Sequence, residues 1–302
     1  MTNSTSHWLY LHDGKPGHLN QLRGFAHAIT KLHPHASSSW FDVSRLTMYQ
    51  RFSGRCAELQ TLPKADVIIA AGHSTHWLVL LLRKKWKSHT VIVMRPSWPT
   101  SWFDSVIMPK HDIKGDKVRS NVYLTEGAMN MVGSQKYLPR NKGLVLLGGN
   151  SKHFEWPDEQ ITQQVSAIIE SHPELEWTVT DSRRSPSKQI TDIQLACPAA
   201  TYQDYRNCPK DWLLEKISQS DTIWITPDSV SMVYEALSSG ARVGLIELPP
   251  KAQNRINRGM LTLITEGKVS AINLEAEITI ARTPLPRLNE AKNAAQWLTY
   301  RL

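Results

Sequence analysis

Four short runs in this chain gather residue types that hold anions, each beside a β-like segment. The first is Asp13-Gly14-Lys15-Pro16-Gly17-His18, followed by Asn20 and Gln21. Its glycines and proline make a tight turn whose amides can point at a ligand, and Lys15 and His18 add donors. The second is Gly148-Gly149-Asn150-Ser151-Lys152-His153. Glycines at a strand end let backbone amides approach an anion closely, and Ser151 and Lys152 add a hydroxyl and a charge. The third is Ser182-Arg183-Arg184, where two guanidinium forks can neutralise a diphosphate. The fourth is Thr226-Pro227-Asp228-Ser229-Val230-Ser231, ahead of Glu235. Asp228 and Ser229 are helix-capping types, and the amides and positive dipole end of the helix they open suit a pyrophosphate. Glu235 lies one turn beyond Ser231 on the same face, where its carboxylate can accept both hydroxyls of a ribose.

Each run has an ordinary counterpart: a sharp turn with a solvated lysine, a Gly-Gly turn, a solvated arginine pair, a capped helix with an exposed glutamate. Position favours the first two as sites, because each opens a strand-to-helix unit. Smaller features also fall at expected strand ends and could line an acceptor: Gly72-His73-Ser74, His111-Asp112 with Asn121, and Thr125-Glu126-Gly127-Ala128.

Several chemistries are missing from the sequence. The turn after the first strand is not G-x-G-x-x-G, and the chain has no G-x-x-x-x-G-K-[ST] and no G-x-S-x-G. It has no D-x-D, so a metal–diphosphate clamp of that kind is not indicated. The close histidine pairs, His33/His35 and His73/His76, lack a carboxylate or cysteine at ligand spacing, and no metal is expected. Three cysteines without a C-x-x-C suggest a reduced, cytoplasmic protein. Residues 1–11 lack the basic start and long apolar run of a signal peptide, and the longest strongly apolar run, 77–82, is far below the ~20 residues of a membrane span. With 35 Lys+Arg against 27 Asp+Glu, the net charge of +8 favours anionic partners. Arg83-Lys84-Lys85-Trp86-Lys87 reads first as a solvated helix end and second as a contact with an anionic membrane. Nucleic acid is not expected, since aromatic residues do not interleave with the basic ones in a recognisable motif.

The elements that must position these runs repeat as strand, loop, helix. Strands are expected at 7–11, 66–71, 90–94, 105–108 and 121–124, with a helix over 19–32 whose Leu22, Phe25, Ala26 and Ile29 share a face. The pattern restarts after Pro139-Arg140-Asn141-Lys142-Gly143, with strands at 144–147, 175–180, 222–226 and 242–247 and helices at 158–171 and 230–239. Pro284 and Pro286 precede a last helix over 289–300. The near-continuous apolar strands call for parallel sheets. The expectation is an α/β protein of two Rossmann-like domains facing across a cleft, residues 1–140 and 141–285, with 286–302 returning to the first.

Taken in order, the first run, Pro109-Lys110-His111-Asp112 with Asn121-Val122, Glu126-Gly127-Ala128, Gly148-Gly149-Asn150-Ser151, Ser182-Arg183-Arg184, and Thr226 to Met232 with Glu235-Ala236 resemble the mitochondrial fission Elm family, plant and bacterial proteins described as glycosyltransferase-like. Asp181 departs from the hydroxyl residue expected before Ser182, and Arg95-Pro96-Ser97 is a looser version of the family's proline-containing segment. The resemblance implies a GT-B-like fold that binds a nucleotide-sugar on its C-terminal domain without a D-x-D metal. The expected activity is sugar transfer to an acceptor hydroxyl, with a glycolipid or lipopolysaccharide core as the acceptor in bacteria, and with the donor as co-substrate rather than a resident cofactor. Gly148, Gly149, Asn150, Ser151, Ser182, Arg183, Arg184, Asp228, Ser229, Val230, Ser231 and Glu235 would hold the donor. Asp13 or His18 would act as base, with His111 and Asp112 in reserve; Gly14, Lys15, Gly17, Gln21, His73 and Glu126 would line the acceptor side. A non-catalytic, membrane-associated adaptor on the same scaffold is the alternative, and an NAD-dependent nucleotide-sugar epimerase the second, disfavoured by the absent glycine fingerprint.

Overall fold

The structure is a computed structural model that describes residues 6–113, 118–134, 141–209, 211–276, 278 and 288–302. The chain divides into two compact units, Met1–Ser134 with Asn289–Leu302, and Gln135–Leu288. The expected linker prolines Pro139, Pro284 and Pro286 lie outside the described residues.

The first unit holds strands β1 (His7–His12), β2 (Ser37–Asp42), β3 (Val67–Ala71), β4 (His89–Val93), β5 (Ser105–Pro109) and β6 (Val122–Thr125). They form one parallel sheet in the order β2-β1-β3-β4-β5-β6. Val-Ile-Ile-Ala-Ala of β3 is buried throughout, as a strand covered on both faces must be. Alternate residues serve the two faces: Leu9, Leu11, Ile68 and Ile92 join one core, while Trp8, Tyr10, Ile69 and Val91 join the other. The first core is closed by helices α3 (Ala57–Thr61) and α4 (His76–Trp86), whereas α2 (Met48–Ser53) contributes no residue to it.

On the opposite face lies α1 (Pro16–Leu32), which starts three residues earlier than its apolar spacing predicts because Pro16 suits a first helical turn. The chain's last helix, Glu290–Thr299, packs on α1 through Ala291, Ala294, Ala295 and Leu298, small side chains that let two helices approach closely. The Glu126 amide donates to Glu290 Oε2 at 3.0 Å, and the His33 ring meets Thr299 Oγ1 at 3.0 Å. Trp86, read from sequence first as part of a solvated helix end and second as a membrane contact, is instead buried in the core beneath α4, while Lys84, Lys85 and Lys87 around it are exposed.

The second unit holds β7 (Lys142–Leu146), α5 (Asp158–Ser171), β8 (Glu176–Thr180), α6 (Gln189–Ala196), β9 (Thr201–Gln203), α7 (Trp212–Gln219), β10 (Thr222–Ile225), α8 (Val230–Ser239), β11 (Arg242–Leu245), α9 (Arg255–Thr265) and β12 (Ser270–Ala271). The last helix of the chain is therefore α10. The second sheet is also parallel, in the order β12-β11-β10-β7-β8-β9. Each sheet reverses direction of strand addition once, between β1 and β3 in the first unit and between β7 and β10 in the second. Ligands of open α/β sheets bind beyond the carboxyl ends of the strands at such a point.

Candidate functional site

In the second unit the turns after β7 and β10 meet at the reversal point and are clasped together. The Gly148 amide donates to Thr226 Oγ1 at 2.7 Å, and the Gly149 amide donates to Asp228 Oδ2 at 3.1 Å. Arg184 Nη1 reaches the same Asp228 oxygen at 2.7 Å. The Ser182 and Ser185 hydroxyls donate to the Gly148 carbonyl, and the Asn150 amide donates to the Arg184 carbonyl at 3.0 Å. Sequence reasoning offered the two glycine amides to an anion; the structure shows them already engaged. The reason for glycine is also internal. A Cβ on Gly148 would sit 2.2 Å from Asp228 Oδ1, and one on Gly149 would sit 2.1 Å from the Arg184 carbonyl carbon. Gly149 moreover has φ +147°, which side chains rarely adopt.

Asp228 is thus corrected from an anion contact to a positioning residue. Its side chain is fully buried, and burial pushes its carboxyl up against the opposing pull of Thr226, Arg184 and the Gly149 amide. It does not cap α8, and neither does Ser229, so the amides of that first helical turn have no side-chain hydrogen bond from the described residues. Arg184 stays about one-third exposed, which leaves part of its guanidinium open. Arg183 and Asn150 are exposed, whereas Ser151 Oγ is occupied by the His153 and Phe154 amides at 3.2 and 3.1 Å. At the start of α8 Val230 is half-buried and Ser231 is exposed.

Glu235, further along α8, is half-buried and makes no hydrogen bond or ion pair with any described residue. Desolvation pushes its carboxyl up to about 7. The exposed, solvated glutamate of the ordinary reading is not what the fold contains.

Sequence reasoning missed the neighbour of this clasp. A cavity of about 510 Å³ opens beside Pro227, lined by Phe154, Leu248, Asn257, Met260 and Ile272 among others. Mainly apolar walls with a few polar groups are what a small ligand's ring system needs. Asn257 is buried there, donating Nδ2 to the Ala252 carbonyl at 2.7 Å while its Oδ1 has no partner among the described residues. The signal was the apolar stripe of 255–265, which the polar residues between its hydrophobic positions obscure.

In the first unit the turn after β1 carries an acid–imidazole pair. His18 Nδ1 lies 2.8 Å from Asp13 Oδ1, and Lys15 Nζ lies 3.4 Å from Asp13 Oδ2. Burial alone would raise the Asp13 carboxyl, but the His18 hydrogen bond and charge, with help from Lys15, hold it below its usual range. The Asp13 side chain is 5% exposed and that of His18 20%, so the imidazole is the group that meets solvent. Gly72, at the end of β3, has φ +99°, and a Cβ there would sit 2.5 Å from the Asp13 carboxyl carbon. The reversal point therefore brings Asp13, His18 and Gly72 together, with exposed His73 next in the chain. Gly14 (φ +76°) and Gly17 are exposed in the same turn, and Gln21 is buried one helical turn further on. His111 and Asp112 follow β5, two strands beyond β3 and about 10 Å away at ~4.8 Å per strand. Asp112 is buried, and its carbonyl accepts from Arg95 Nη1 at 3.0 Å. Glu126 pairs with Lys110. These three are not part of the Asp13 turn. Among the described residues no three His, Cys, Asp or Glu side chains gather as a metal site, and no helix is long and apolar enough to cross a membrane.

The family model described as Mitochondrial fission ELM1 matches residues 16–302 of this chain. The chain belongs to that family. A second sequence similar to this ELM1-family chain is RP120 of Rickettsia prowazekii, an uncharacterised protein 25% identical across 78% of this chain and 80% of its own length. Among solved structures, the UDP-GlcNAc 2-epimerase of Methanocaldococcus jannaschii superposes with a TM-score of 0.60 at 10% identity, covering 98% of this chain and all of that one. The S. aureus MnaA–UDP structure gives 0.52 at 11% identity, covering 98% and 88%. These likenesses show the fold, which is the GT-B type that the motifs imply.

Proposed function

We propose that this ELM1-family protein transfers a sugar from a nucleotide-sugar to an acceptor hydroxyl. The observation that carries the reading is Arg184, held at the mouth of α8 by the buried Asp228 while part of its guanidinium stays open. A fixed cation and uncapped helix amides at a strand-reversal point form a seat for a diphosphate. Arg183 adds charge, Glu235 accepts the ribose hydroxyls, and the cavity beside Pro227 takes the nucleoside ring. Relatives in fold support the ligand class, since one is a UDP-GlcNAc epimerase and another was solved with UDP.

In the reaction the acceptor oxygen forms a bond to the anomeric carbon as that carbon's bond to the diphosphate breaks. Negative charge grows on the leaving phosphate, and Arg184 with the amides of Ser229, Val230 and Ser231 stabilises it more as it grows. The acceptor proton passes to His18 Nε2, because Nδ1 faces Asp13. Asp13 fixes the ring and so acts as a positioning residue, which leaves His18 as the base of the two candidates. Lys15 and His73 line the acceptor, a hydroxyl on a glycolipid or lipopolysaccharide core.

The test is a thermal-shift screen of nucleoside diphosphates and nucleotide-sugars on the wild type, Arg184→Ala and Glu235→Ala. A ligand at tenfold its Kd stabilises by about 1.4 kcal/mol. A shift with one nucleotide class that both variants lose is expected; no shift with any nucleotide defeats the proposal and favours a non-catalytic adaptor. A second reading, epimerisation without an acceptor, has in its favour that UDP-GlcNAc 2-epimerases share the fold. Incubating UDP-GlcNAc with the protein in heavy water separates the two, since only epimerisation at C2 places deuterium there.

A further inference from the structure

The first unit shows water a cluster of large apolar side chains that the sugar-transfer chemistry does not use. Helix α2 buries none of its residues and leaves Met48 and Tyr49 about two-thirds exposed, at 64% and 67%. Phe52 of α2 meets Trp77 of α4 with ring centroids 5.8 Å apart, and the Trp77 indole donates to the Phe52 carbonyl at 2.9 Å. Trp77 in turn meets Trp98 edge-on at 6.1 Å, and Trp98 meets Trp102 at 5.4 Å. Phe52, Trp77 and Trp102 are all exposed. An unbroken chain of rings thus runs over the surface from α2 across α4 to the loop after β4. Other exposed apolar side chains, such as Trp40, Leu195 and Tyr300, are far apart in sequence and outside this chain of ring contacts.

The charge around the rings is predominantly basic, with Asp42, Glu58 and Asp104 at its borders. Residues 43–57 and 72–103 contain no Asp or Glu but hold Arg45, Arg51, Arg55, Arg83, Lys84, Lys85, Lys87 and Arg95. Those eight positive charges match the net +8 of the whole chain. Arg83 is neutralised by Asp104, and Arg45 lies 3.7 Å from Asp42. Arg55, Lys84, Lys85 and Lys87 are exposed and have no carboxylate partner among the described residues. On α4 the spacing of Trp77, Leu81 and Lys84 sets apolar and basic side chains along one stripe.

We infer that this face docks on an anionic phospholipid bilayer. Tryptophan and tyrosine settle at the level of the headgroups, where their rings are apolar and their polar edges wet. Lysine and arginine beside them meet lipid phosphates, and apolar burial and charge attraction add to one another. An acidic protein would satisfy the charges, but four clustered rings with two more apolar side chains on a helix that buries nothing fit an interface that can be entered rather than a fixed complementary surface. The inference rests on the first unit's surface alone and survives if no nucleotide binds.

The experiment is co-sedimentation of the full chain with vesicles of phosphatidylcholine alone and of phosphatidylcholine with 30 mol%, roughly, of phosphatidylglycerol, a content chosen to give the surface a negative potential. Binding to the anionic vesicles, weakened by 0.5 M salt (about a 4 Å Debye length), and much less binding to the neutral ones is expected. Met48→Ser/Tyr49→Ser removes two apolar groups without touching the core, and should weaken binding about tenfold. Lys84→Gln/Lys87→Gln should weaken it about thirtyfold, at about 1 kcal/mol per surface lysine. Unchanged melting temperatures would show that both variants fold. No sedimentation with anionic vesicles overturns the inference, as does binding that neither variant weakens. A concentration-dependent dimer that Met48→Ser/Tyr49→Ser abolishes, without vesicle binding, would make the face a contact between copies instead.

Discussion

Replacing Glu235 by glutamine should make the protein more stable at neutral pH and less able to hold a nucleotide. The carboxyl is half-buried without a partner, and desolvation raises it from 4.5 to about 7. A raised carboxyl favours the folded state while protonated. That contribution is complete below 4.5, falls as pH climbs, and is gone once pH passes about 7. A shift of about 2.5 pH units at 1.36 kcal/mol each would be worth roughly 3.4 kcal/mol, and partial exposure brings it to about 2–3 kcal/mol. Glutamine keeps the shape and carries no charge, so it escapes the loss. At pH 8 the variant should therefore melt about 4–12 °C above the wild type, at ~2–4 °C per kcal/mol for a unit of this size. At pH 4.5 the two should melt together. Differential scanning calorimetry from pH 4.5 to 8 gives both curves, and subtracting them cancels every other titrating group. Parallel curves would refute the reasoning, because they would mean that Glu235 is solvated or paired in the folded protein. Nucleotide affinity should move the opposite way, since an amide is a poorer acceptor for two ribose hydroxyls than a carboxylate.

Asp228→Ala leaves Arg184 and the Gly149 amide without their acceptor; it should cost about 2–3 kcal/mol, the usual loss on breaking a buried pair reduced for the exposure of Arg184. Asp228→Asn keeps an acceptor and should cost about half as much, and both should weaken nucleotide binding in a thermal-shift titration. His18→Ala should lower sugar turnover by about 10²–10⁴ without changing the nucleotide thermal shift, and Asp13→Asn should lower kcat by less. A loss of nucleotide binding in either would remove His18 from the acceptor side. Gly149→Ala places a methyl against the Arg184 backbone at a positive φ and should destabilise by about 2–4 kcal/mol in urea melts.

Most of the strands that sequence reasoning found are buried on both sides, although the half-buried edge strand Val122–Thr125 was found as well. Val67 to Ala71 has no polar residue to break the pattern, and neighbouring helices explain why none is needed. The edge strand Ser37–Asp42 was missed because its residues are mostly exposed and read as loop. Helix α2 escaped for a related reason: a helix that buries nothing has no periodic apolar face to detect. At the site, the glycines and the Asp-Ser turn were found where they matter, but their purpose was assigned to a ligand. Only three dimensions reveal that Asp228, 79 positions after Gly149, fills the space a side chain at residue 148 would take. The choice between Asp13 and His18 was equally out of reach, since it depends on which of two neighbours lies underneath.

The position of α10 bears on how the protein is made. Translation delivers residues 135–288, a stretch of 154, after the first sheet is complete and before the helix that closes its flank. At roughly 5–20 residues per second that interval lasts about 8–30 s. Throughout it, Leu22, Phe25 and their neighbours lack the cover of Ala291, Ala294 and Leu298, and the Glu126 amide lacks its Glu290 acceptor. The nascent first unit therefore waits with an oily flank uncovered while the ribosome threads out its companion, which makes that flank a natural hold for a chaperone.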